Sequence, residues 1–165
     1  MNDKLNSLIL RARAEHDCRA GATAAQIANA EKRIGYQFTD ELRELLLACN
    51  GIQFWKDSDY PCQLLATTKI KPARLLLEED EGPPGLIGLV ETEGTFIAID
   101  LDPKSKSYSK IIDCFHETFP YELCGVCDSL QDLLALILNS EGKEWVWPVR
   151  ESTISTLPSE QRADC

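Results

Sequence analysis

Positive charge is scarce in this chain: 17 Lys and Arg stand against 27 Asp and Glu in 165 residues, a formal net charge of −10. Phosphate recognition needs a clustered Lys/Arg surface, so a nucleic-acid partner is not expected. Histidine is scarcer still, with only His16 and His116. A His-based catalytic triad therefore has few options, and no Gly-x-Ser-x-Gly nucleophile elbow accompanies either residue. Walker A and dinucleotide-binding glycine loops are also missing. No apolar run approaches the roughly 18 residues needed to cross a bilayer, and the mixed stretch after Met1-Asn2-Asp3-Lys4 lacks the apolar centre of a secretory signal. No membrane partner is expected.

Two things are plentiful. Seven cysteines (Cys18, Cys49, Cys62, Cys114, Cys124, Cys127, Cys165) are many for this length, but their odd number and irregular spacing do not suggest a disulfide framework. Free thiols in a reducing cytosol are the simplest fit, which predicts a cytoplasmic protein. Acidity is the second excess, and it is local. From Glu78 to Asp102 there are eight carboxylates (Glu78, Glu79, Asp80, Glu81, Glu91, Glu93, Asp100 and Asp102) and no Lys or Arg. This stretch reads either as a solvated loop and hairpin edge that keeps the protein soluble, or as an electrostatic docking surface for a basic partner.

With 44% apolar residues the chain can bury one ordinary core. Leu5, Leu8, Ile9 and Ala12 have helical spacing, with a stop in the polar run Asp17 to Gly21. Thr23 and Gln26 form a capping box for a second helix over Ile27, Ala30 or Glu31, and Ile34, ended by Gly35. A third helix begins at Thr39 or Asp40, buries Leu42, Leu45, Leu46 and Cys49, and stops at Asn50-Gly51. Gln63 to Thr67 reads as a strand, Ile70 to Leu77 has no clear assignment, and Glu78 to Gly85 is an exposed loop. Leu86 to Val90 and Thr95 to Leu101 form strands joined by a Glu91-Thr92-Glu93-Gly94 turn, with Ile97, Ile99 and Leu101 on one face and Phe96, Ala98 and Asp100 on the other. Tyr108 to His116 is a third strand. Asp128-Ser129 caps a closing helix over Leu130, Leu133, Leu134, Ile137 and Leu138. The expected fold is α+β: a single domain with an antiparallel-rich sheet packed against N-terminal helices and a closing C-terminal helix. The divisions are a helical extension over 1–21, the domain proper over 22–148, and a loose tail over 149–165 beyond Trp145-Val146-Trp147-Pro148.

Three chemical motifs need testing. Cys124-Gly125-Val126-Cys127 is a CxxC, but the βαβ context of a thioredoxin-like site is absent. For zinc, Cys114 and His116 could supply two further ligands if the halves converge. A zinc deaminase needs His-x-Glu and Pro-Cys-x-x-Cys, whereas here Glu117 follows His116 directly and Leu123 precedes Cys124. The carboxylate pairs Asp100/Asp102 and Glu91/Glu93 read as solvated residues near turns and not as an acid–base couple. The better reading is a non-enzyme with no metal and no cofactor.

Ile27-x-x-x-Glu31-x-x-Ile34-Gly35-x-x-Phe38-Thr39-x-x-Leu42-x-x-Leu45-x-x-x-x-Asn50-Gly51 resembles the opening signature of the SMI1/KNR4 (SUKH) family. Leu86-Ile87-Gly88, Ile99-Asp100-Leu101, Asp113 to Glu117 and Ser129 to Leu134 are similar to its later segments, so the likeness spans about residues 22–140. Phe38-Thr39 replaces the family's Leu-Pro, and Glu93-Gly94-Thr95 stands where its central hairpin often has Gly-Asp. The resemblance implies an α+β fold and a binding role without catalysis: immunity against toxins, often nucleases, in bacterial members, or a regulatory scaffold in fungal ones. Glu31 is expected to make a salt bridge or cap, and Asn50-Gly51 a helix stop. The leading expectation is an immunity-type protein whose acidic stretch (Glu78, Glu79, Asp80, Glu81, Glu91, Glu93) covers the basic surface of a toxin domain. Trp55, Asp57, Asp59 and Tyr60 form a second candidate patch, because aromatics beside acids are common interface anchors. Alternatively, Trp55 simply covers the core.

Overall fold

The computed structural model describes residues 2–144. Helix formation follows the caps. Asn2 accepts from Lys4 and Leu5 N–H to start α1 (Asp3–Glu15), which buries Leu5, Ile9 and Ala12. The chain does not simply stop there: Asp17–Cys18 forms the edge strand β1, which corrects the expectation of a polar terminator. The Thr23/Gln26 capping box opens α2 (Ala24–Ile34), and Gly35 closes it in the left-handed region at φ +80°. Thr39 caps α3 (Asp40–Ala48) by accepting from Leu42 N–H, and Leu42, Leu45 and Leu46 are buried on it. Cys49 follows fully buried.

β2 (Ile52–Phe54) and β3 (Cys62–Leu64) come next. The first was not foreseen, and the second is shorter and shifted relative to Gln63–Thr67. The unassigned region contains the single turn α4 (Ala73–Leu76), and Glu78 to Gly85 is a loop, as expected. β4 (Leu86–Thr92) and β5 (Thr95–Asp100) form the central hairpin. Its turn is only Glu93-Gly94, both at positive φ (47° and 79°), the two-residue geometry that matches strand twist. Glu91 and Thr92 are therefore strand residues and not part of the turn. β6 (Ile111–Cys114) is shorter than the Tyr108–His116 expectation, and the CxxC is itself a strand, β7 (Cys124–Cys127). Ser129 caps α5 (Leu130–Ser140), which buries the five predicted apolar positions.

Among the described residues, seven strands pair antiparallel in the order β1-β2-β3-β4-β5-β6-β7, a meander with every neighbour consecutive in sequence. The fold is α+β with helices on an antiparallel sheet, as the sequence indicates. The main core lies between α1, α2, α3, α5 and one face of this sheet. A smaller core of Ala73, Leu86, Ala98, Ile112, Cys114, Phe119 and Leu123 covers part of the other face. All six residues of β5 are buried, Asp100 included: Phe96, Ile97 and Ile99 join the main core and Ala98 the smaller one, so neither face of this strand meets water. The Trp145 to Pro148 segment and the tail over 149–165 lie outside the described residues.

Candidate functional site

The two most recognisable polar positions of the helical half serve the fold. Glu31 is nearly buried, and its Oε1 accepts from the Phe38 N–H at 2.8 Å and from Arg43 Nε and Nη2 at 2.9 and 2.6 Å. One carboxylate thereby ties α2, the link after it and α3 together. Asn50 Oδ1 accepts from the Thr67 N–H at 2.8 Å and joins the end of α3 to the segment after β3. Both groups are occupied inside the molecule.

The meander rearranges the acidic stretch. In an antiparallel sheet with consecutive pairing, successive connections fall alternately at the two ends. Glu78 to Glu81 precede β4, whereas Glu93 follows it, and the seven residues of β4 place its two ends about 20 Å apart. Asp100 is buried and accepts from the Asp102 N–H at 3.0 Å, and Asp102 accepts from the Lys104 N–H at 2.9 Å. One linear run of eight carboxylates thus becomes two structural groups and two separated surface groups.

The surface groups have different neighbours. The exposed Glu78, Glu79, Asp80 and Glu81 share their connection with Lys69, Lys71 and Arg74. At the same end lies the β5–β6 connection, joined to it by the Leu101 N–H to Gly85 carbonyl bond and carrying Lys104, Lys106 and Lys110. At the opposite end the β2–β3 loop (55–61), the Glu93-Gly94 turn and the β6–β7 loop (115–123) come together. Thr92 Oγ1 donates to the Pro61 carbonyl at 3.1 Å, and the His116 N–H donates to Thr95 Oγ1 at 3.1 Å. Asp57, Asp59 and Glu93 are exposed there, Glu91 is half-buried beside Gln63, and Glu117 and Glu122 stand on the third loop. Lys56 is the one cation these connections carry, and its Nζ lies 3.6 Å from Asp17. Among the described residues, Asp57, Asp59, Glu91 and Glu93 make no ion pair.

The second candidate patch therefore joins one half of the first. Trp55 is half-buried and held, its Nε1–H donating to the Ile137 carbonyl at 2.8 Å while its ring meets His16 edge-on at 4.4 Å. It packs against the main core. Its carbonyl accepts from Ser58 Oγ at 2.7 Å, which braces the loop bearing Asp57, Asp59 and the half-buried Tyr60. Sequence reading overlooked the third loop, where Phe115 is 39% and Tyr121 81% exposed. The signal that exposes it is the meander itself, because once β2 and β7 are recognised the 55–61, 93–94 and 115–123 turns must share an end.

Among the described residues no three His, Cys, Asp or Glu side chains are grouped to hold a metal. Cys114 is fully buried, and burial pushes its thiol well above the ordinary range; the Cys62 and Cys127 thiols are pushed up to about 12 by the same cause. Such thiols are poor nucleophiles. Cys18, Cys49, Cys62, Cys114 and Cys127 are free, whereas Cys124 is disulfide-bonded, though not to Cys127. The expectation of free thiols throughout fails at that one described cysteine. No described helix is long and apolar enough to cross a membrane.

Glu31 thus clamps α2 to α3, and Asn50 ties the end of α3 to the segment after β3, beside an antiparallel meander. The chain belongs to the SMI1/KNR4 family (SUKH-1), whose model matches residues 21–136. Beyond the family, it is similar to the immunity protein YokJ of Bacillus subtilis (strain 168). The two are 24% identical over 158 residues, which cover 92% of each chain.

Proposed function

We propose that this protein is a non-catalytic immunity protein that neutralises a toxin by binding it, and that the toxin presents a basic surface, as a nuclease domain does. The observation that carries this reading is the near end-to-end similarity to a relative named as an immunity protein. The docking surface is the hairpin end, with Asp57, Asp59, Glu91 and Glu93 as the charged contacts, Tyr60 beside them and Trp55 holding their loop. Glu78, Glu79, Asp80 and Glu81 contribute less, because cations of neighbouring connections partly offset them. Unpaired carboxylates on one end of a molecule speed encounter with a basic partner and make the association rate salt-dependent.

Affinity capture from the native cell, followed by co-expression of the captured protein with and without this chain, tests the proposal. The expected result is a toxic protein whose growth inhibition is relieved by this chain. Capture of a non-toxic regulatory protein would contradict it.

A further inference from the structure

His16 sits where α1 ends and the β2–β3 loop begins to turn. The backbone N–H of Trp55 donates to its Nδ1 at 3.4 Å, so this nitrogen presents a lone pair and the ring proton belongs on Nε2. Nε2 is enclosed and has no hydrogen-bond partner among the described residues. The ring lies edge-on to Phe54 at 5.1 Å and to Trp55 at 4.4 Å. Trp55 itself is held at φ +51°, a conformation rare for a bulky side chain. Several contacts must hold that backbone in place, and the bond to His16 is one of them.

We propose that His16 is a neutral-imidazole latch that seats the β2–β3 loop, and that protonation of its ring releases this loop. An added proton on Nδ1 faces the Trp55 N–H, so donor meets donor and the bond is lost, while Nε2–H stays enclosed without an acceptor among the described residues. The surrounding charges do not reverse this. Glu15 and Asp17 favour the protonated ring, Arg11 opposes it, and burial outweighs them and lowers the pKa of His16. Lys56 of the loop is turned to Asp17, Asp57 lines the same open groove, and Glu141 at the end of α5 faces Arg11 and Lys143. The latch matters for function only if the hairpin end docks a partner, since the released loop carries Asp57 and Asp59.

The test is amide hydrogen exchange by NMR on the full chain between pH 8 and pH 5, corrected for intrinsic rates, for wild type and His16→Asn, whose Oδ1 keeps an acceptor near the Nδ1 position. Protection of the Trp55 N–H in wild type should begin to fall below about 6.5, the free-histidine pKa, and level off once the lowered pKa of the seated ring is passed, and it should stay flat in His16→Asn. Flat protection in wild type down to pH 5, or an equal fall in both proteins, overturns the latch. The ring signals of wild-type His16 provide a second readout that needs no variant. Titration below 6.5 with an Nε2–H neutral tautomer is expected, and titration at or above 6.5, or an Nδ1–H tautomer, contradicts it. Neither measurement requires the toxin, so failure of the latch and failure of the docking proposal are separately visible.

Discussion

Two acidic regions of similar size behave differently once folded. Glu78 to Glu81 are four consecutive exposed carboxylates on one connection, yet that connection and the β5–β6 connection beside it carry Lys69, Lys71, Arg74, Lys104, Lys106 and Lys110, the last paired with Asp128 at 2.6 Å. The hairpin end draws its carboxylates from three turns far apart in sequence, with Lys56 as the one cation of those turns. Charge density along a chain is thus a poor guide to charge density on a surface. The meander decides which residues share an end, and it favours the dispersed set.

The largest expected consequence concerns protection from the toxin. Reversing Asp57, Asp59 and Glu93 to Lys should weaken binding about 100-fold, as loss of several close charge contacts does. A growth assay with the co-expressed toxin reads this as lost protection. The carboxylate that belongs to neither surface provides the next largest effect. Asp113 is mostly buried with Oδ1 unpartnered, and burial pushes its pKa up to about 6. The native state therefore binds this proton more tightly than the unfolded chain, and stability falls as pH rises from about 3.8 to about 6. Asp113→Asn should then stabilise the protein by about 2 kcal/mol at pH 7 and by little near pH 4, measured by denaturant unfolding. An equal gain at both pH values would remove the titration argument.

Smaller effects sharpen the boundary between scaffold and surface. Trp55→Phe removes the hydrogen bond to the Ile137 carbonyl and should cost about 1 kcal/mol of stability. It should also raise exchange of the 55–61 amides while leaving those of the 78–85 loop unchanged. Neutralising Glu78, Glu79, Asp80 and Glu81 together should change unfolding free energy by less than about 0.5 kcal/mol, because these exposed carboxylates make no ion pair among the described residues. A larger loss would mean that this loop supports the small core through its Gly82 contact with Phe119.

What the sequence made legible has a physical pattern. Helices announced themselves because caps and apolar spacing are local: Thr23 with Gln26, Thr39, and Ser129 are all found where they were expected. The strands β1, β2 and β7 escaped because two to four residues are too few to establish an alternation, and in β7 the two cysteines drew attention as a motif, which hid the strand they begin and end. The individual site residues were visible as acids and aromatics near turns. Their convergence was not, since it depends on Thr92 meeting Pro61 and on Thr95 meeting His116, contacts between residues 31 and 21 positions apart.

A matched pair of variants tests the central claim most directly. Asp57→Lys with Asp59→Lys and Glu93→Lys, and Glu78→Lys with Glu79→Lys and Asp80→Lys, change the net charge by the same amount, so long-range attraction is altered equally in both. Association and dissociation rates with the captured toxin, measured at low and at physiological salt, then report position alone. The hairpin-end triple should lose about 100-fold in affinity and most of its salt dependence, while the loop triple stays within about threefold of wild type. Equal losses in the two triples, or a greater loss from the loop, would contradict docking at the hairpin end.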